Sequence, residues 1–137
     1  MELHRIGASA LARRIKGGEV TAEAALEHFI DRIERLDGAL NAVVVRRFEQ
    51  ARERACEADR ALARGEDWGA LHGVPMTVKE TYEIAGWPTT AGIEALRDHV
   101  SERTSVAVQR LLDAGAVIFG KTNVPAYASD LQTYNDI

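Results

Sequence analysis

The sequence lacks the features that mark secreted, membrane-spanning and nucleic-acid-binding proteins. It contains a single cysteine, Cys56, so no disulfide can form within the chain, and we expect a reduced thiol in a cytoplasmic protein. No apolar run approaches the ~20 residues that span a bilayer, and the first residues include no apolar core typical of a signal peptide. The formal net charge of -4 gives no electrostatic reason to expect nucleic acid or an anionic membrane as a partner.

The histidines and the cysteine offer little chemistry by their placement. His4, His28, His72 and His99 have no metal-ligand spacing, so the sequence predicts neither a metal site nor a cofactor. His72 is expected to be exposed rather than catalytic. Cys56 lies in a charged, helix-like stretch with no obvious base beside it, which argues against a nucleophilic thiol.

The remaining composition is ordinary for a soluble globular domain. Hydrophobic residues make up 46% and charged residues 28% of the 137 positions, which is enough apolar material for one core. Residues 1–65 are predicted to be roughly helical, with Thr21 as the N-cap of the second helix and a candidate strand from Ala42 to Val45. A third helix has a polar face dense in Arg and Glu, which is expected to be solvated. Its apolar stripe comprises Phe48, Ala51, Ala55, Ala58 and Leu62.

Residues 71–137 show a different pattern, that of a strand, a helix and a second strand. The predicted segments are a period-two strand at Val74–Val78, a helix at about Ser105–Ala114, a strand at Ala116–Phe119 and a polar loop from Gly120 to Pro125. Such a βαβ unit joins two parallel strands by a right-handed crossover. Both strands then end at one edge of the sheet, so Lys79 and Lys121 should emerge side by side where ligands bind in open α/β sheets.

Residues 115–122 read GAVIFGKT and match the P-loop pattern GxxxxGK[ST] for nucleotide phosphates. A P-loop follows a strand and opens a helix, so that free backbone N–H groups face the phosphate. Here a predicted helix precedes the match, and the four middle residues Ala116–Phe119 suit a buried strand. Pro125 also disfavours an immediate long helix. Phosphate binding through Lys121 is therefore the alternative function, a nucleotide-binding module formed by Gly115–Thr122.

Three segments in order carry a resemblance to a known family. Residues 71–80 read LHGVPMTVKE, residues 86–92 read GWPTTAG, and residues 114–123 read AGAVIFGKTN. Together with the helical first third, they resemble the start of the amidase signature family of hydrolases. The resemblance implies that residues 1–137 are the N-terminal part of a single amidase signature domain. The implied fold class is α/β, with N-terminal helices followed by an incomplete βαβ portion of the family's mixed sheet.

Lys79 ends the Gly-Val-Pro strand, and the resemblance implies that it is the catalytic lysine of Ser–cis-Ser–Lys chemistry. Hydrolysis of an amide needs a nucleophile, a group that activates it, and donors for the oxyanion. A lysine is a base only when neutral, so it must be partly buried on a rigid element. The end of a core strand suits that role. The alternative is a lysine whose stem packs at the strand end while its charge stays in water.

The family's two serines are expected in a Gly/Ser-rich segment and shortly after it, and the chain stops at Ile137 before such a segment. None of its own serines has Gly-rich surroundings; they are Ser9, Ser101, Ser105 and Ser129. By position in the family, Tyr127–Ser129 resembles a wall of the substrate pocket, with Ala128 as a substrate-binding residue. The departure leaves Lys79 as the one catalytic residue that the chain supplies.

The resemblance therefore implies a parent protein that hydrolyses carboxylic amide C–N bonds of small, linear substrates, without a cofactor. This chain is expected to be inactive by itself, as a truncation or as one piece of a larger assembly. Its expected partners are a small-molecule amide in the parent enzyme, and either a second copy of the chain or a complementing C-terminal part. Neither nucleic acid nor membrane is expected among them.

Overall fold

The computed structural model describes residues 2–137, which form a mixed α/β structure. The elements in chain order are α1 (Ala8–Lys16), α2 (Ala22–Leu36), β1 (Val43–Arg46), α3 (Phe48–Ala63), β2 (Pro75–Lys79), α4 (Val106–Asp113) and β3 (Val117–Thr122). Short 3-10 turns lie at Leu3–Arg5, Asp37–Ala39, Glu94–Leu96 and Ala126–Ala128. None of the helices in residues 2–137 combines the length and apolar character needed to cross a bilayer.

The N-terminal helices form where the periodicity predicts them. In α3 the predicted stripe is buried at Ala51, Ala55 and Ala58, and these small side chains let α2 approach closely with Leu26 and Ile30. The predicted N-cap of α2 is confirmed as well, since the backbone N–H of Ala24 donates to the Thr21 hydroxyl.

The sheet has the order β1-β3-β2. Strands β2 and β3 are parallel and α4 connects them, which confirms the predicted βαβ unit. Strand β1 pairs antiparallel with β3 on its other side, so the sheet is mixed. The predicted boundary of the second strand was wrong. Strand β3 continues through Gly120, Lys121 and Thr122, where a polar loop was predicted, because these residues pair with both neighbouring strands.

Apolar clusters cover both faces of the sheet. The larger one joins α1, α2 and α3 to Val117 and Phe119 of β3. The smaller one joins α4, through Val108, to Ile118 and Val78. A three-layer arrangement of helices, sheet and helix follows, in which the strands are buried on both sides.

The polar face of α3, predicted to be solvated, is partly engaged by its neighbours. The guanidinium of Arg54 donates to the carbonyls of Leu112 and Ala116, at 2.8 Å each. The carboxylate of Asp59 accepts the backbone N–H groups of Ala22 and Glu23 at the start of α2. The prediction failed because α2 and α4 flank this helix, and their unpaired backbone ends need partners.

His72 was predicted to be exposed and is in fact fully buried. Its Nε2 lies 2.9 Å from the carbonyl oxygen of Ala58, and its Nδ1 accepts the backbone N–H of Trp68. His72 is buried in part because the turn after α4 packs against its backbone. A Cβ at Gly115 in that turn would lie 2.8 Å from the Cα of His72. His72 therefore fastens the approach to β2 onto α3.

Candidate active site

Lys79 lies at the carboxyl edge of the sheet, as predicted. It is the last residue of β2, and its Cα pairs with that of Thr122 at the end of β3. The side chain is exposed, and its Nζ has no hydrogen-bond or ion-pair partner among residues 2–137. The burial that a basic lysine requires is therefore not supplied by the described part of the chain.

Lys121, on the adjacent strand, has the opposite surroundings. It is 0% exposed, and its Nζ donates to the carbonyls of Glu80 (3.1 Å) and Pro88 (2.6 Å) and to the hydroxyl of Thr89 (2.7 Å). These three acceptors use all three N–H groups of an ammonium. Burial lowers the pKa of Lys121 to about 8, against the opposing effect of the carboxylates of Glu80 and Glu83. The group thus stays mostly charged at neutral pH.

Glu80, which follows Lys79, points its buried carboxylate into the next loop. Its two oxygens accept the backbone N–H groups of Thr90 and Ala91. Ala91 has a φ of 52°, in the left-handed region that non-glycine residues seldom adopt. The carboxylate therefore holds a strained turn in place. The sequence analysis assigned no role to Glu80, because its partners lie ten and eleven residues further along the chain.

The same loop supports the turn that contains Ala128. The backbone N–H of Tyr127 donates to the carbonyl of Ala91 at 2.9 Å. Gly92 approaches so closely that a Cβ there would lie 3.2 Å from the Cα of Ala126. Tyr127 and Ala128 both have positive φ angles, of 58° and 53°. The loop thus links the edge that ends in Lys79 to the predicted pocket wall.

A cavity of about 240 Å³ opens beside this edge. Its lining includes Glu80, Thr90, Gly92, Asn123 and Asn135. Lys79 is not among the lining residues, so the described chain brings the cavity and the lysine to the same edge without placing one in the other.

The surroundings of three candidate nucleophiles, Ser101, Ser129 and Cys56, do not favour a nucleophilic role. The hydroxyl of Ser101 donates to the Thr89 hydroxyl, and that of Ser129 donates to the carbonyl of Ala126. For Cys56, burial and the neighbouring Glu23 raise the thiol pKa, which disfavours the reactive thiolate. Within residues 2–137 no group of three His, Cys, Asp or Glu side chains is placed to hold a metal ion.

The P-loop alternative is not supported. Residues Val117–Thr122 form strand β3, and the Nζ of Lys121 is enclosed by protein oxygens rather than open to a phosphate. After β3, the next helical element is only the 3-10 turn Ala126–Ala128. Within residues 2–137, no α-helix therefore begins directly after the Gly120–Thr122 segment, as phosphate binding requires.

Comparison with known proteins places this architecture. Residues 24–137 match the Amidase family. The chain is 36% identical over 117 residues to an indoleacetamide hydrolase of Bradyrhizobium diazoefficiens, covering 85% of this chain and 22% of that protein. It is 34% identical over 123 residues to an acylamidase of Rhodococcus erythropolis, covering 90% of this chain and 26% of that protein.

A solved structure agrees with the sequence relatives. The native peptide amidase of Stenotrophomonas maltophilia superposes with a TM-score of 0.84 at 33% identity, covering 91% of this chain and 26% of that one. The chain spans about a quarter of the length of the relatives it matches. The matched segment includes the strand that ends in Lys79 and the βαβ unit around it. The chain therefore belongs to the amidase signature family.

Proposed function

We propose that this chain is the N-terminal part of an amide hydrolase in which Lys79 is the catalytic lysine. The observation that supports this is the position of Lys79 at the carboxyl end of β2, beside β3, in a chain of the amidase signature family. That edge is where side chains from neighbouring parallel strands converge on a ligand. Residues 1–137 are proposed to form one part of a single domain rather than a domain of their own.

In the proposed reaction, neutral Lys79 accepts a proton, through a second serine in the cis conformation, from the serine that attacks the amide carbon. The tetrahedral intermediate collapses to an acyl-enzyme as the C–N bond breaks and the leaving amine takes the proton. Water then attacks the acyl-enzyme and releases the carboxylic acid. Both serines are proposed to come from sequence outside these 137 residues, as are the donors for the oxyanion.

The surroundings of Lys79 give a reason for this division. Its exposed amine in the described chain has nothing to desolvate it. A segment packed over the edge would both bury the amine and bring the nucleophile to it. We therefore propose that the 137-residue chain alone has no amidase activity.

The proposed substrate is a small, linear carboxylic amide, with Ala128 in the wall of its pocket. The relatives include an acylamidase and an indoleacetamide hydrolase, which differ in substrate and share the amide group in their names. We propose a cytoplasmic enzyme that binds neither nucleic acid nor membrane. Its partner would be a second copy or a complementing C-terminal part.

The test compares Lys79→Ala and Lys79→Arg in the full-length protein, with Lys16→Ala as the matched control. Lys79→Ala should lower kcat by about 10²- to 10⁴-fold while the melting temperature changes little. Lys79→Arg should fail as well, because a guanidinium stays protonated and cannot accept the serine proton. Steady-state kinetics on an aryl amide, alongside thermal melts, provide both measurements.

Wild-type-like turnover in Lys79→Ala would overturn the assignment. So would aryl amide hydrolysis by the purified 137-residue chain that disappears on the same substitution. Lys16 pairs with Asp67 away from β2, so its removal should leave kcat unchanged.

A further inference from the structure

Lys121 is the most completely hydrogen-bonded lysine in residues 2–137, yet the proposed reaction does not use it. It donates three hydrogen bonds, whereas Lys16 donates one and Lys79 donates none. Burying an ammonium costs free energy even when it is well paired. A lysine with three acceptors from other segments holds those segments together in a way that an apolar residue could not.

A bulge in β3 turns Lys121 toward its partners. Met76 pairs with Ile118 and Thr77 pairs with Gly120, so Phe119 has no counterpart on β2. In a regular strand Lys121 would share a face with Phe119, which packs in the larger apolar cluster. The extra residue instead sets Lys121 opposite Val78, which packs in the cluster on the α4 side. Bulges commonly re-aim side chains in this way.

Gly120 makes this bulge sterically feasible. A Cβ at that position would lie 2.7 Å from the carbonyl oxygen of Val45 on β1. The strand can therefore bend against β1 only where no side chain intervenes. The glycine at position 120 of β3 therefore permits the bulge.

We propose that Lys121 is a positioning residue of the Lys79 site, which together with Glu80 clamps the loop Pro88–Gly92 across the ends of β2 and β3. That the clamp positions the Lys79 site rests on the proposed function. The clamp itself rests on the observed hydrogen bonds. The Nζ of Lys121 donates to the carbonyl of Pro88 and the hydroxyl of Thr89. The carboxylate of Glu80 accepts the backbone N–H groups of Thr90 and Ala91.

Two further contacts extend the clamp in opposite directions. Thr89 accepts a hydrogen bond from Ser101 as well as from Lys121, which ties the loop to the segment before α4. Ala91 accepts the backbone N–H of Tyr127, which ties it to the turn containing Ala128. The loop Pro88–Gly92 connects the sheet edge that ends in Lys79 to the turn that contains Ala128. Loss of the Lys121 ammonium would therefore loosen both the loop and the support of the pocket wall.

Hydrogen exchange on the full-length protein tests the clamp without relying on activity. Lys121→Met should raise the exchange rates of the Thr90 and Ala91 amides about tenfold or more. Without the bonds from Lys121, the loop opens more often and these amides leave the Glu80 carboxylate more often. The amides in the middle of α3 should change far less. Lys16→Met is the matched control, and it should leave the loop amides as they are in the wild type.

A milder variant keeps the test decisive if Lys121→Met does not fold. Thr89→Val removes one of the three acceptors and leaves the two carbonyls on Lys121. It should also accelerate exchange at Thr90 and Ala91. Unchanged exchange at both amides in a folded Thr89→Val or Lys121→Met chain would overturn the proposal.

Kinetics of the full-length protein separate positioning from mere stability. At a temperature where both proteins are folded, Lys121→Met should lower kcat/KM about tenfold or more per active site and raise KM, because the pocket wall loses support. A change in melting temperature with kcat and KM unaltered would refute a positioning role. Full activity of Lys79→Ala would instead refute the proposed function, and the hydrogen-exchange result would stand apart from it.

Discussion

Lys79 and Lys121 lie at the ends of neighbouring strands, and their environments differ in almost every respect. The first is exposed and unpartnered within residues 2–137, and the second is buried with three oxygen acceptors. In a buried site, loss of solvation opposes the charge while each acceptor favours it. For Lys121 the net result is a pKa lowered to about 8, so the site holds a charge that is easier to remove than on the surface.

The wild-type chain should therefore gain stability relative to Lys121→Met as the pH rises from about 7.5 to about 10. The pKa of Lys121 falls from the ordinary value of 10.5 to about 8 on folding, so the unfolded chain binds more protons across this window. This contribution to the free energy of unfolding is complete above the unfolded pKa and is lost as the pH falls through the folded one. We expect a relative gain on the order of 2 kcal/mol, measured by urea denaturation of the full-length wild type and the full-length variant.

The comparison removes the pH dependence that the two proteins share, because they differ only at position 121. A difference that stays flat with pH would show that the three acceptors offset the loss of solvation completely. A difference that falls would mean that they exceed it.

At the scale of elements, the start of α2 shows how a helix end is satisfied by a distant residue. The hydroxyl of Thr21 accepts the backbone N–H of Ala24, and the carboxylate of Asp59 on α3 accepts those of Ala22 and Glu23. Three of the helix's free N–H groups thus have acceptors, and the negative charge favours the positive end of the helix dipole.

Asp59→Ala should lower the free energy of unfolding by about 1–2 kcal/mol, because two backbone N–H groups lose a charged acceptor. Asp31→Ala is the matched control, since Asp31 is exposed on α2 and its carboxylate has no partner within residues 2–137. Equal losses from the two substitutions, measured by denaturant titration, would argue that the contact from α3 contributes nothing.

Local patterns predict the elements well here, and long-range contacts account for what they miss. The stripe of α3, the Thr21 cap and the βαβ unit each follow from residues close in sequence. The Asp59 cap depends on a residue more than thirty positions away, so no local pattern contains it. His72 and Lys121 are similar cases, because each is buried by a segment that folds back from elsewhere in the chain.

The candidate site divides in the same way. The position of Lys79 at the sheet edge follows from a period-two strand and a parallel crossover, both readable from sequence. The clamp does not, because it depends on a bulge that sets the direction of Lys121. A register shift of one residue leaves no mark in the alternation of so short a strand.

At the scale of the whole molecule, the sheet has two outer strands. Among residues 2–137, β1 and β2 each pair with β3 alone. Large apolar side chains are also exposed on several elements; they include Leu36, Leu40, Val44, Val106 and Tyr127. Open strand edges and exposed apolar surface both favour association between chains.

The 137-residue chain should therefore self-associate or melt with low cooperativity unless a partner covers these surfaces. We expect sedimentation velocity to show species larger than the monomer that grow with concentration, together with strong binding of a hydrophobic dye. Val44→Lys places a charge on the outer strand β1, where the side chain is 38% exposed, and should reduce this association. Leu131→Lys, at a fully exposed position outside the sheet, is the matched control and should reduce it less.

A monomer with a sharp, cooperative melt and little dye binding in the wild type would contradict the prediction. Equal effects of the two lysines would show that net charge, rather than the open edge, governs association.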